Sequence, residues 1–138
     1  MKDQDDATFL SLSSEYLEAA IALHETPPMR VNYSAITFFL LGHAAELILK
    51  GFLYMSGSGM ADLKKCGHDL AALVDKARLA GLPTDVELSN VKALSLTYAS
   101  KGLEYRKNLA AEYPCRDVLL HEVKALSNYV LSRVWPVT

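Results

Sequence analysis

Cysteine is scarce: Cys66 and Cys115 are the two in 138 residues. The opening MKDQDD is polar and acidic, unlike a secretory or transit segment. Free thiols in a reducing compartment, the cytoplasm, are therefore expected. Cys66 and His68 stand close together, but no second Cys/His pair at ligand spacing follows, and no metal is expected. An excess of positive charge is also missing. Fourteen Lys and Arg face sixteen Asp and Glu, for a net charge of −2 and a pI near 6.1. That excludes a protein that coats nucleic acid by bulk electrostatics, though not one with a local basic patch. No glycine-rich phosphate loop, nucleophile elbow or metal-binding carboxylate cluster occurs, and no cofactor is expected. Internal repeats are absent, and Ser56-Gly57-Ser58-Gly59 is the one low-complexity stretch. No segment alternates apolar and polar residues as an exposed strand would.

What is present is apolar sequence at helical spacing. Apolar residues make up 51% of the chain, too many for disorder. The length suits one domain, residues 1–138, burying roughly two-thirds of its unfolded surface. Phe9, Leu12, Tyr16, Ala20 and Leu23 recur at three- and four-residue steps and predict a first helix over about 6–24, capped by Asp5 or Asp6. Thr26-Pro27-Pro28 ends it. A second helix, from about Asn32 or Ser34 to Met55, is apolar almost all round, with Phe39, Leu47 and Ile48 expected in the core. Its length permits a membrane span. His43, Glu46 and Lys50 sit mid-way, however, and each central ion costs roughly 2.5–3.5 kcal/mol in a bilayer. A buried central helix, with no membrane, is expected.

A third helix is predicted from His68-Asp69 to Ala80-Gly81, after a short polar loop. A fourth runs from Thr84 or Asp85 to about Ser100, with Leu88, Val91, Leu94 and Tyr98 on one face. Lys101 to Pro114 reads equally as helix extension or ordered loop. A fifth, about 115–135, carries Leu119, Val123, Leu126, Val130 and Val134 in a narrow stripe. The fold class is all-α: an antiparallel bundle of four to five helices.

His43, Glu46 and Lys50 fall within about 60° on the second helix, and Glu46 to Lys50 is the favourable order for an i,i+4 ion pair. Charges on so apolar a helix need partners if buried. The row either contacts a ligand or braces neighbouring helices. Asp69 sits where the next helix needs an acceptor for its unpaired N–H groups, and Gly67 permits a tight turn into it. His68 stands where it can hydrogen-bond Glu46 across helices.

The segment from His43-Ala44-Ala45-Glu46 through Leu49-Lys50, followed by Gly67-His68-Asp69-Leu70, resembles the HEPN family (higher eukaryotes and prokaryotes nucleotide-binding domain). The close match covers about a quarter of the chain, and the helix order nearly all of it. The resemblance implies a four- or five-helix bundle that usually forms homodimers. It also implies association with RNA, nucleotides or toxin–antitoxin systems, often beside a small nucleotidyltransferase partner. Many members are ribonucleases. Their hallmark is an arginine and, after four to six intervening residues, a histidine near the start of the last helix, often with a polar residue just after the arginine.

Arg116-Asp117-Val118-Leu119-Leu120-His121 fits that hallmark, with Asp117 as the polar residue. The chemistry suits metal-free RNA cleavage: His121 moves the proton of a 2′-hydroxyl and Arg116 holds the phosphate. Residues five apart on a helix point about 140° apart. Arg116 must therefore lie at a frayed helix start, or two copies must meet across a dimer axis. Lys101, Tyr105, Arg106 and Lys107, with Tyr98 nearby, mix basic and aromatic side chains suited to holding phosphate and stacking bases, or to a solvated bundle edge. Two rival functions remain open: a non-catalytic dimeric interaction domain, and a nucleotide pocket beside Glu46 and Lys50.

Overall fold

A computed structural model of the chain describes residues 6–26, 34–99 and 114–134. Among these, six helices and no strand occur. They are α1 (Asp6–Glu25), α2 (Ser34–Met55), α3 (Met60–Cys66), α4 (Leu70–Leu79), α5 (Ser89–Ala99) and α6 (Arg116–Val134). The protein is all-α.

The apolar circumference of α2 makes it the axis. Leu41, Ala44, Ala45, Ile48, Leu49, Phe52 and Leu53 are all buried. Each of the other five helices packs against α2. Ala35–Met55 is long and apolar enough to cross a membrane by length and composition, yet most of it is buried by the protein's own helices. α1 runs antiparallel to α2: the Phe9 ring meets Tyr54, Ser13 Oγ donates to the Ala44 carbonyl at 2.8 Å, and Tyr16 stacks on His43. The two backbones approach closely at Gly51, where a Cβ would stand 2.9 Å from Leu10 Cδ2. α4 and α5 are likewise antiparallel, joined from Asp69 to Ser95 at one end and from Asp75 to Lys92 at the other.

Several expectations need correction. The polar loop before the third predicted helix contains α3, whose seven residues bury only Leu63; one apolar anchor makes no periodic stripe. The next helix starts at Leu70, with His68 in the turn and Asp69 as its cap. α5 starts at Ser89 instead of Thr84 or Asp85, and Leu88 is buried just before it. On α1 the deeply buried line is Phe9, Leu10, Ser13, Leu17 and Ala20, while Leu12, Tyr16 and Leu23 are half-buried. A buried serine with a backbone partner hides that line from a hydropathy reading. The α6 stripe is as expected: Leu119, Val123, Leu126 and Val130 are buried. Most of 101–114 lies outside the described residues.

Ile48 is fully buried, but Phe39 and Leu47 are only half-buried. Leu49→Ala is therefore expected to cost about 2–5 kcal/mol, since Leu49 is also fully buried, and Leu47→Ala clearly less. Urea denaturation of the two variants checks this ordering.

Candidate functional site

Two polar clusters lie at different places on the bundle. The first is built on Glu46, which faces inward from α2 and is 4% exposed. A buried carboxylate demands counter-charge and hydrogen bonds, and this one has both. Lys50 Nζ, one turn along, donates to Oε2 at 2.8 Å. His68 Nδ1, from the turn before α4, lies 2.7 Å from Oε1. The turn that delivers His68 depends on Gly67, at φ +55°. Asp69 then caps α4, its Oδ1 accepting from Ala72 N at 3.1 Å and from Ser95 Oγ at 3.1 Å. Ser95 Oγ in turn accepts from Ala71 N. His43 completes the row: its ring stacks on Tyr16 at 4.9 Å, meets Phe39 edge-on at 4.3 Å and faces His68 at 6.2 Å.

The two sequence blocks, His43–Lys50 and Gly67–Asp69, are thus one connected network bracing α1, α2, α4 and α5. It also presents one imidazole outward, since the His68 side chain is 52% exposed while tied at Nδ1. Removing the carboxylate strands the partly buried Lys50 ammonium. Glu46→Ala is expected to cost about 2–4 kcal/mol, and a thermal melt equal to wild type would show the network to be dispensable.

The second cluster is the opening of α6. Arg116 is the first helical residue and half-buried, while Asp117 and His121 are exposed. An acidic side chain in a first turn also favours the helix start. Asp117 Oδ1 lies 2.8 Å from Nε2 of His24, on the last turn of α1. His24 is a residue the sequence reading did not single out. Its only local signal is a basic side chain near a helix C-terminus, which is common. His121 stands one turn beyond Asp117 on the same face, whereas Arg116 and His121 diverge by about 140°.

Glu122, also missed, is 2% exposed on the inner side of α6. Its carboxylate accepts from Asn90 N at 2.9 Å, Val91 N at 3.0 Å and Asn90 Nδ2 at 2.7 Å, capping α5 from another helix. At the same helix start, Glu87 accepts from Ser89 N at 2.9 Å, and that backbone N–H holds its carboxyl below the ordinary value. Because the folded value is depressed, what Glu87 adds to stability is present above the usual carboxylate range and fades as pH falls through it.

Comparison with protein-family models, curated proteins and solved structures finds no match.

Lys101, Tyr105, Arg106 and Lys107 lie outside the described residues, as does the Tyr98 side chain. Among the described residues, no group of three or more His, Cys, Asp or Glu side chains is placed to hold a metal ion. A groove of about 300 Å³ between α1 and α2 is lined by Leu12, Glu15, Tyr16, Ala19 and Leu40. Neither Glu46 nor Lys50 lines it.

Proposed function

We propose that this chain is a HEPN-like bundle that works with RNA, in a toxin–antitoxin-type or other nucleic-acid-associated role, as a metal-independent endoribonuclease. The observation that carries the reading is the opening of α6, where Arg116 is the first helical residue and Asp117 and His121 are exposed one turn apart. His121 takes the proton from a ribose 2′-hydroxyl, O2′ bonds to phosphorus, and the bond to the departing 5′-oxygen breaks. Arg116, a permanent planar cation, binds the non-bridging oxygens as charge builds on them. The helix start adds oriented N–H groups to the same task.

The reading includes a cytoplasmic homodimer and a small nucleotidyltransferase as candidate partner. In such a dimer Val118, exposed between Asp117 and His121, would be covered by a contact between copies at this edge. The test is cleavage of RNA by the purified protein, in the presence of a chelator, compared with His121→Ala. A second reading, a non-catalytic dimeric interaction domain, is favoured by the Glu46 network, whose burial and cross-helix ties serve architecture as well as chemistry.

A further inference from the structure

The contact between His24 and Asp117 has no explanation in packing alone. The His24 side chain is 19% exposed, and its Nδ1 is enclosed with no hydrogen-bond partner. An enclosed, unsatisfied ring nitrogen costs stability. A leucine would fill the same place without that cost. What the imidazole offers is the other nitrogen, Nε2, 2.8 Å from Asp117 Oδ1. Asp117 would otherwise be a mobile surface carboxylate, because its side chain is 80% exposed.

We propose that His24 is a positioning residue for the α6 site: it holds Asp117 so that the remaining carboxylate oxygen faces His121, one turn along. The inference rests on the ribonuclease reading for its consequence, though not for its geometry. His24 is not itself a proton carrier to substrate, since Nδ1 is enclosed and Nε2 is committed to Asp117. Asp117 and His121 are i,i+4 on an exposed helix face, the spacing at which side chains meet. A carboxylate on one nitrogen of an imidazole selects which nitrogen carries the proton, and leaves the other to work on the 2′-hydroxyl. On its own helix the charged residues one turn from His121 are Asp117 and Lys124, while His24 at the end of α1 reaches Asp117; Glu122 is buried and committed to α5. The contact between His24 and Asp117 thus joins two helices at the start of α6, with Arg116 next to Asp117 in sequence and His121 one turn beyond it.

Two measurements test this on the full chain. The first needs no activity: nitrogen-15 spectra of the His121 ring read which nitrogen is protonated in the neutral form. Wild type is expected to favour one tautomer, and both Asp117→Asn and His24→Leu to shift towards a mixture. His24→Gln, whose amide can still donate to Asp117, is expected to keep the wild-type ratio. An unchanged ratio in His24→Leu overturns the proposal. The second is cleavage. His24→Leu is expected to lower kcat about 10–100-fold with KM little changed, while melting at or above wild type. Combining it with Asp117→Asn should cost no more than Asp117→Asn alone. A full additive loss, or a fall in kcat matched by a fall in melting temperature, also overturns it. If the wild-type protein cuts no RNA, the ribonuclease reading fails by itself, and the tautomer measurement still decides the role of His24.

Discussion

Replacing His121 with alanine is expected to abolish RNA cleavage, a loss of about 10²–10⁴-fold, and to leave the melt where it was. The second half follows from position. His121 is exposed on α6, on the side away from Leu119, Val123, Leu126 and Val130, so its removal opens no cavity. The first half follows from chemistry. An imidazole is the side chain whose ordinary range lies nearest neutral pH, so it both accepts and returns a proton there. Arg116→Lys separates charge from geometry: it keeps the cation but loses the planar fork, and should retain only part of the rate. On the ribonuclease reading imidazole and guanidinium supply the chemistry, so activity is expected to persist in a chelator. A His121→Ala protein that cuts at the wild-type rate sinks the enzyme reading, and the interaction-domain reading takes its place.

The divergence of Arg116 and His121 on one helix makes the number of chains in the site a measurable property. Mixing Arg116→Ala protein with His121→Ala protein gives heterodimers. If each site draws arginine from one copy and histidine from the other, one intact site survives per heterodimer, and random mixing restores roughly a quarter of the activity. If both residues act from one chain, the mixture stays inactive. Val118, exposed beside the pair, is where a contact between copies would bring the two edges together.

How much of this was legible beforehand depended on whether a signal was local. α2 is readable because its apolar residues fill every face, and the row of His43, Glu46 and Lys50 is readable because helical spacing alone aligns it. The Asp69 cap and the tie from His68 to Glu46 follow from cap chemistry and from the need of a buried carboxylate for partners. By contrast, α3 holds a single anchor, Leu63, and seven residues show no period. The buried line of α1 includes Ser13, whose hydroxyl is satisfied by the Ala44 carbonyl from another helix. The links from His24 to Asp117 and from Glu122 to Asn90 span 93 and 32 positions of sequence and carry no pattern at either end. The chemistry of the α6 opening is legible as residue types; the helix that supports it from the side is not.

Glu122→Ala is expected to be the most destabilising polar substitution in the protein, about 3–5 kcal/mol. That is a large share of a domain's usual stability of about 5–15 kcal/mol. The first N–H groups of a helix have no partner within it. In α5 those of Asn90, half-buried, and Val91, fully buried, point towards α6, and Glu122 Oε1 accepts from both. The Asn90 side-chain amide donates to Oε2 at 2.7 Å. Truncation therefore strands three donors at once and leaves a void between α5 and α6. Glu122→Gln keeps the volume and one acceptor oxygen but turns an amide N–H₂ towards existing donors, so its loss should be intermediate. Glu87→Gln provides the contrast, because Glu87 is exposed at the same helix start and water can replace what it accepts. Urea denaturation should rank the variants Glu122→Ala, Glu122→Gln, Glu87→Gln in falling order of loss. A Glu122→Ala loss below about 1 kcal/mol would mean that water reaches the start of α5 and that the carboxylate does not close it.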